Sequence, residues 1–355
     1  MSEGRSARQE PLRVAVVGYG LAGAVFHGPL IEATDGLRVS AIVTSDAERA
    51  AAAAARHPGA AVVADVERLW AIADRLDLAV LATPNRTHLP LGLAALEAGL
   101  HVVVDKPLAA SAADGRRLID AAKRRGRTLT VYQNRRWDGD FLTLRRLVEQ
   151  GELGEVYRFE SRFERWRPVP KAGWRQLPGA EEAGGLLFDL GPHLIDQALL
   201  LFGPVRAVHA ELDRRRPGAL VDDDAFLALS HDSGVRSHLW MNVVAARPGP
   251  RFRVLGSRAT WTKNGLDVQE ERLRQGGDPR QAGFGEEPEA DWGLFDDGAR
   301  STAVPTRAGT YAAFYAELAR SIRDGTPPPV DPADAVAGLE IIEAARRAAG
   351  LRATS

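Results

Sequence analysis

The chain contains no cysteine, which excludes disulfides, zinc thiolate sites and thiol nucleophiles. No apolar run reaches the roughly 18 residues that a membrane helix needs, and the first eleven residues, MSEGRSARQEP, lack the apolar core of a secretory leader. The expectation is a cytoplasmic protein with no membrane partner. Net charge is also nearly absent, since 46 Lys and Arg face 47 Asp and Glu for a formal charge of −1. With no basic tail, a nucleic-acid partner is not expected and small soluble ligands fit better. Lysine is scarce. Only Lys106, Lys123, Lys171 and Lys263 occur among the 46 basic residues, so each of them merits inspection. No internal repeat is visible, and 355 residues exceed what one core usually supports.

What is present begins at residues 12–17, an apolar β-type run ending in Gly18-Tyr19-Gly20-Leu21-Ala22-Gly23 and passing directly into a helical pattern. Three glycines between a strand and a helix each have a physical reason. Gly18 permits a tight turn, Gly20 lets backbone approach a pyrophosphate, and Gly23 allows close packing of helix on strand. A pyrophosphate would then sit on the free N–H groups at the helix N-terminus, against Leu21. This context predicts a dinucleotide site.

Strands and helices alternate from residue 12 to about 132, as a parallel sheet requires. Strands are predicted at 12–17, 37–43, 61–63, 78–82, 101–104 and 128–131, with helices at 21–33, 46–56, 65–74, 87–98 and 111–125. Asp46 and Ser111 stand at N-cap positions, Gly99 and Gly126 at C-caps. A connecting helix follows at 138–150. Past Gly154 the period becomes two, over 156–164, 205–213, 225–231, 235–244, 251–256 and 259–263. Helices are predicted at 184–202, 309–324 and 332–349, and an irregular loop at 275–300, whose Phe284, Trp292 and Phe295 imply that it packs. The fold class is therefore α/β: a doubly wound parallel sheet, then an α+β domain with a largely antiparallel open sheet. The domains run 1–11 as an extended or disordered N-terminus, 12–132 as the dinucleotide-binding unit, and 133–355 for substrate and oligomerisation.

Candidate chemistry gathers at the carboxyl ends of the first strands, where open α/β sheets place ligands. Asp105-Lys106-Pro107 ends the fifth strand. Lys106 there can polarise a substrate oxygen or pass a proton, or else it is a solvated lysine in a proline-fixed turn. Thr83, Pro84, Asn85 and His88 end the fourth strand, where they could wall the cofactor, with Thr87 a helix cap. On a continuous helix Asp189 and His193 share a face at i and i+4, although Pro192 should restart or kink it. A carboxylate beside an imidazole raises its basicity, as a general base needs. The alternative is a helix-terminal aspartate beside a half-buried histidine. Asn134, Arg135 and Trp137 leave the sixth strand among several donors that suit a polyhydroxylated or anionic substrate. Asp222, Asp223 and Asp224 read as a solvated loop. No metal is expected, because no ligand spacing supports one.

The second strand ends at Ile42-Val43-Thr44-Ser45-Asp46. An acid there normally binds the ribose diol of NAD. If Ser45 holds that position, its hydroxyl accommodates a 2′-phosphate and Arg49 can pair with it, which favours NADP. If Asp46 holds it, NAD is the cofactor.

With GxGxxG at Gly18, acid-Lys-Pro at Asp105 to Pro107 and Asp-x-x-x-His at Asp189 to His193, nearly the whole chain resembles the Gfo/Idh/MocA family. Segments such as FHGPLI, TPNRTH, HVVVDKP and GPHLIDQALLLFG are most similar to its bacterial NADPH-dependent scyllo-inositol dehydrogenase subgroup. The resemblance implies reversible oxidation of a cyclitol or sugar hydroxyl, with Lys106 and His193 matching the family's site lysine and histidine. It also implies a homo-oligomer, dimer or tetramer, built on the open sheet. Many members carry Glu where this chain has Asp105. Other activities on the fold are a biosynthetic keto-sugar reductase, an NAD-assisted glycoside hydrolase and a non-catalytic dinucleotide sensor.

Overall fold

The computed structural model describes residues 10–170 and 173–350. The predicted extended N-terminus therefore lies outside the described residues up to residue 9. Strands β1 (Leu12–Val17), β2 (Leu37–Val43), β3 (Ala61–Val63), β4 (Leu78–Leu81), β5 (His101–Asp105) and β6 (Leu129–Tyr132) form one parallel sheet ordered 3-2-1-4-5-6. Its central strands are buried without alternation, from Val14 to Val17, Leu78 to Leu81 and Val102 to Val104, because helices cover both faces. Asp46 and Ser111 accept backbone N–H groups at their helix N-termini, and Gly126 closes its helix in the left-handed region at φ +60°. These caps lie where the pattern puts them.

The second sheet holds β7 (Val156–Glu164), β8 (Val205–Asp213), β9 (Asp224–His231), β10 (Arg236–Asn242), β11 (Phe252–Gly256), β12 (Thr260–Lys263), β13 (Gly293–Asp296) and β14 (Ser301–Val304), ordered 14-13-12-11-7-10-9-8. It is antiparallel except between β7 and β10. Strand β13 corrects the expected loop at 275–300, and the helix Gln269–Arg274 and β14 fill the unassigned stretches on either side of it. Each strand is only four residues long between Gly- and Asp-rich turns, so no period develops; cross-strand pairing of Phe295 with Trp261 secures them.

Alternation divides the second sheet into two faces. Leu229, Leu239, Phe252, Val254 and Trp261 are all buried, whereas Phe226 and Trp240 lie on the other face beside His238. Arg162 stacks over the Trp240 ring at 3.9 Å. The helix Leu186–Phe202 lies along the buried face and runs unbroken through Pro192.

Asp222 to Asp224 are not a solvated loop. Asp222 accepts the Leu187 N–H at 2.7 Å and so caps that helix from outside, while Asp223 is fully buried against Arg216 at 2.9 Å. Chain beyond residue 300 returns to the first sheet. His27 Nδ1 lies 2.6 Å from the Tyr315 hydroxyl, and Thr130 donates to the Val330 carbonyl at 2.8 Å.

Candidate active site

The glycine turn is shaped by what it leaves out. A Cβ on Gly18, whose φ is +95°, would stand 2.6 Å from the Ala82 carbonyl oxygen, and one on Gly23 would stand 2.1 Å from the Gly18 oxygen. Both positions demand glycine. A Cβ on Gly20 would meet only Arg49 Nη1, at 3.9 Å. Gly20 is thus open for a ligand, and the turn fits a dinucleotide pyrophosphate. Leu21, which follows, is half exposed. The backbone then winds as a π-helix over Ala22–His27 before continuing as α-helix over Gly28–Glu32. At the end of β2, Thr44 is buried and Ser45 exposed. One oxygen of the Asp46 carboxylate accepts the Arg49 N–H at 2.9 Å and caps the helix.

Beside this turn lies a cavity of about 450 Å³, walled by Asp105 and Lys106 from the first sheet and by Asp189 and His193 from the helix under the second. Lys106 Nζ donates to the Asp189 backbone oxygen and sits 3.3 Å from its carboxylate; Arg175 Nε approaches the same carboxylate at 3.1 Å. Burial alone would raise the Asp189 carboxyl, but these two cations outweigh it and hold the group down at about 2. The expected Asp189–His193 pair is therefore not formed, because the carboxylate faces Lys106 and Arg175 instead. The imidazole has no carboxylate partner among the described residues. Its Nδ1 is buried without a hydrogen bond, and burial, then Lys106, Arg135, Arg251 and Arg165, push its pKa well below the ordinary value. Burial and these cations favour the unprotonated imidazole.

Asn134 and Arg135 also line the cavity, and Arg135 is tied to Glu270 and to the Tyr311 hydroxyl. Trp137, expected among the substrate contacts, is instead buried against Phe314 outside the cavity lining. Thr83 and Pro84 stay in the turn after β4, and Asn85 donates to the Ala183 carbonyl at 3.1 Å. His88 departs from the cofactor wall. It is fully buried, with ring nitrogens 2.8 Å from the Pro107 oxygen and 3.0 Å from the Thr83 oxygen, and it braces the two turns.

Sequence reasoning missed Tyr132, His27, Arg165, Arg167 and Arg175 in the cavity lining. A readable signal existed at Arg165-Trp166-Arg167-Pro168, two arginines alternating about a tryptophan just past a strand.

A parallel dinucleotide-type sheet joined to a mixed sheet, with lysine and histidine meeting between them, defines a two-part oxidoreductase architecture. Residues 12–133 match the oxidoreductase family with an NAD-binding Rossmann fold, and residues 141–262 match the GFO/IDH/MocA C-terminal domain. The chain belongs to the Gfo/Idh/MocA family of oxidoreductases. It is 39% identical to the uncharacterized oxidoreductase YdgJ of Escherichia coli, over 97% of this chain and 98% of that one. It is 35% identical to the scyllo-inositol 2-dehydrogenase (NADP(+)) IolW of Bacillus subtilis, over 95% of this chain and 93% of that one. The solved structure of YvaA from Bacillus subtilis superposes with a TM-score of 0.89 at 34% identity, covering 96% of this chain and 97% of the other. Among the described residues no helix is long and apolar enough to cross a membrane.

Proposed function

We propose that this oxidoreductase transfers hydride between NADP(H) and a secondary hydroxyl or ketone of a cyclitol or sugar. The observation that carries the reading is the convergence of Lys106, held by Asp189, and a His193 whose surroundings favour its unprotonated form on one cavity beside the glycine turn. The name of the IolW relative, which specifies scyllo-inositol and NADP(+), supports the substrate class and cofactor.

Gly18, Gly20, Leu21 and Gly23 would hold the pyrophosphate, with Thr83, Pro84 and Asp105 bordering the same crevice. Ser45, exposed at the end of β2, and Arg49 would receive the 2′-phosphate. When bound, the nicotinamide supplies or accepts the hydride. His193 takes the hydroxyl proton during oxidation, and Lys106 stabilises the charge that develops on the substrate oxygen. Asp189 positions Lys106 rather than His193. Asn134 and Arg135 contribute donors to the substrate.

A coupled screen of polyols and keto-sugars with NADP and NAD tests this. Net turnover of free NADP(H) with a cyclitol or sugar is the expected result. Cofactor retained through purification, with glycoside cleavage and no net turnover, would overturn it in favour of NAD-assisted hydrolysis. The same reading includes an isologous dimer through the outer face around Phe226, His238 and Trp240. Light scattering at micromolar concentration checks it: a mass near the 38.3 kDa of one chain rules the dimer out.

A further inference from the structure

The candidate cavity is unequal in charge. Lys106 and six arginines line it against four carboxylates. Most of these cations are already matched. Lys106 and Arg175 share Asp189, Arg135 and Arg274 share Glu270, and Arg216 pairs with Asp223. Arg165 and Arg167 remain. Neither guanidinium has a carboxylate partner among the described residues.

Their placement is fixed by backbone. Just beyond β7, the Arg165 and Arg167 N–H groups donate to the Asn242 and Val243 oxygens at 2.8 and 2.7 Å, and Trp166 bridges to Val244. In extended chain, residues two apart share a side. Both arginines line the cavity, while Trp166 between them is 58% exposed. Burial, and then the neighbouring charge of Arg167, lowers the Arg165 guanidinium from its ordinary pKa. Arg167 is exposed at the cavity mouth while Arg165 is partly buried; a partly desolvated cation beside a like charge and without a counterion is unfavourable, and an incoming anion relieves both costs. The planar guanidinium matches the geometry of a carboxylate or phosphate group.

We infer that the substrate of this site carries an oxyanion group, carboxylate or phosphate, which Arg165 and Arg167 bind opposite Lys106 and His193. The inference rests on the hydride-transfer reading and narrows its substrate class from neutral polyols to sugar or cyclitol acids and phosphates.

Matched neutral and acidic probes test it: glucose against glucuronate and glucose 6-phosphate, and myo-inositol against its monophosphate. Calorimetric binding to the NADP-loaded protein and kcat/KM for cofactor reduction are both measured. At least one acidic member should exceed its neutral partner by about 10-fold or more, with the carboxylate and phosphate arms telling which anion is read. Arg165→Gln and Arg167→Gln should each bring that ratio down toward one, and Arg165→Lys should restore part of it. Neutral members that bind and react as well as acidic ones in every set overturn the inference. So does a variant whose acid preference is intact but whose NADPH affinity, followed by nicotinamide fluorescence, collapses, because the arginines would then serve the cofactor. Acid-selective binding without hydride transfer to any probe supports the inference and sinks the underlying activity instead.

Discussion

The two walls of the cavity are built by different means. On the first-sheet side the wall is backbone: two glycines that no other residue can replace sterically, a third left open, and helix N–H groups within one short segment. On the second-sheet side the wall is made of long charged side chains, Arg165, Arg167 and Arg175 from one stretch and Arg216 and Glu270 from much further along the chain. A wall made of backbone can be written as a local motif. A wall made of side chains from several elements shows in the sequence only in pieces, as at Arg165-Trp166-Arg167.

The sharpest way to break this contrast is at the residues where the walls meet. Lys106→Ala and His193→Ala should each lower kcat by roughly 10²- to 10⁴-fold while leaving cofactor affinity little changed, the usual contribution of a positioned acid or base. Steady-state kinetics with a cofactor titration separates the two effects. Unchanged kcat in both variants would remove these residues from the chemistry.

Legibility followed the same division. Period and caps placed the first sheet to within a residue or two, because its strands are continuously apolar and its helices carry Asp46, Ser111 and Gly126 at their ends. Lys106 follows β5 at the carboxyl end of the first sheet, as the pattern puts it, and it lines one cavity with His193. Their partnership with Asp189 was misread. Helical spacing put the carboxylate beside the imidazole, and only the tertiary approach of Lys106 and Arg175 shows where it turns. His88 and Trp137 illustrate the same limit, since spacing brings a side chain near a site without saying which way it faces. Strands β13 and β14 were missed because four residues give no period, and Asp222 because its role as a cap depends on a helix 35 residues away.

A smaller effect is expected within the backbone wall. Ser45→Asp should move the NADP-to-NAD preference toward NAD by about 100-fold, since like charges brought together across an interface cost several kcal/mol. The wall itself would be undisturbed, because Ser45 is exposed and the cap on Arg49 comes from Asp46. Comparing kcat/KM for both cofactors in wild type and variant decides it. A wild-type enzyme that already prefers NAD would move the recognising role to Asp46.

The smallest effect concerns pH and reads the electrostatics of the other wall. His193 must be unprotonated to accept a proton in alcohol oxidation, and burial together with the surrounding cations pushes its pKa well below 6.5. Activity should therefore be flat across neutral pH and fall only below the ordinary histidine range, by about tenfold per unit once the imidazole is protonated. Asp189 cannot set that limb, because its carboxyl is held down at about 2 and stays ionised throughout. Arg165→Gln removes one of the cations acting on His193, so its acid limb should shift upward toward 6.5 by a fraction of a unit. Profiles of kcat/KM from pH 4.5 to 8, taken where hydride transfer limits the rate, test both statements. A wild-type limb centred at or above 6.5 would mean that the arginine-lined wall does not control the base, and the charge that separates the two walls would then act on binding alone.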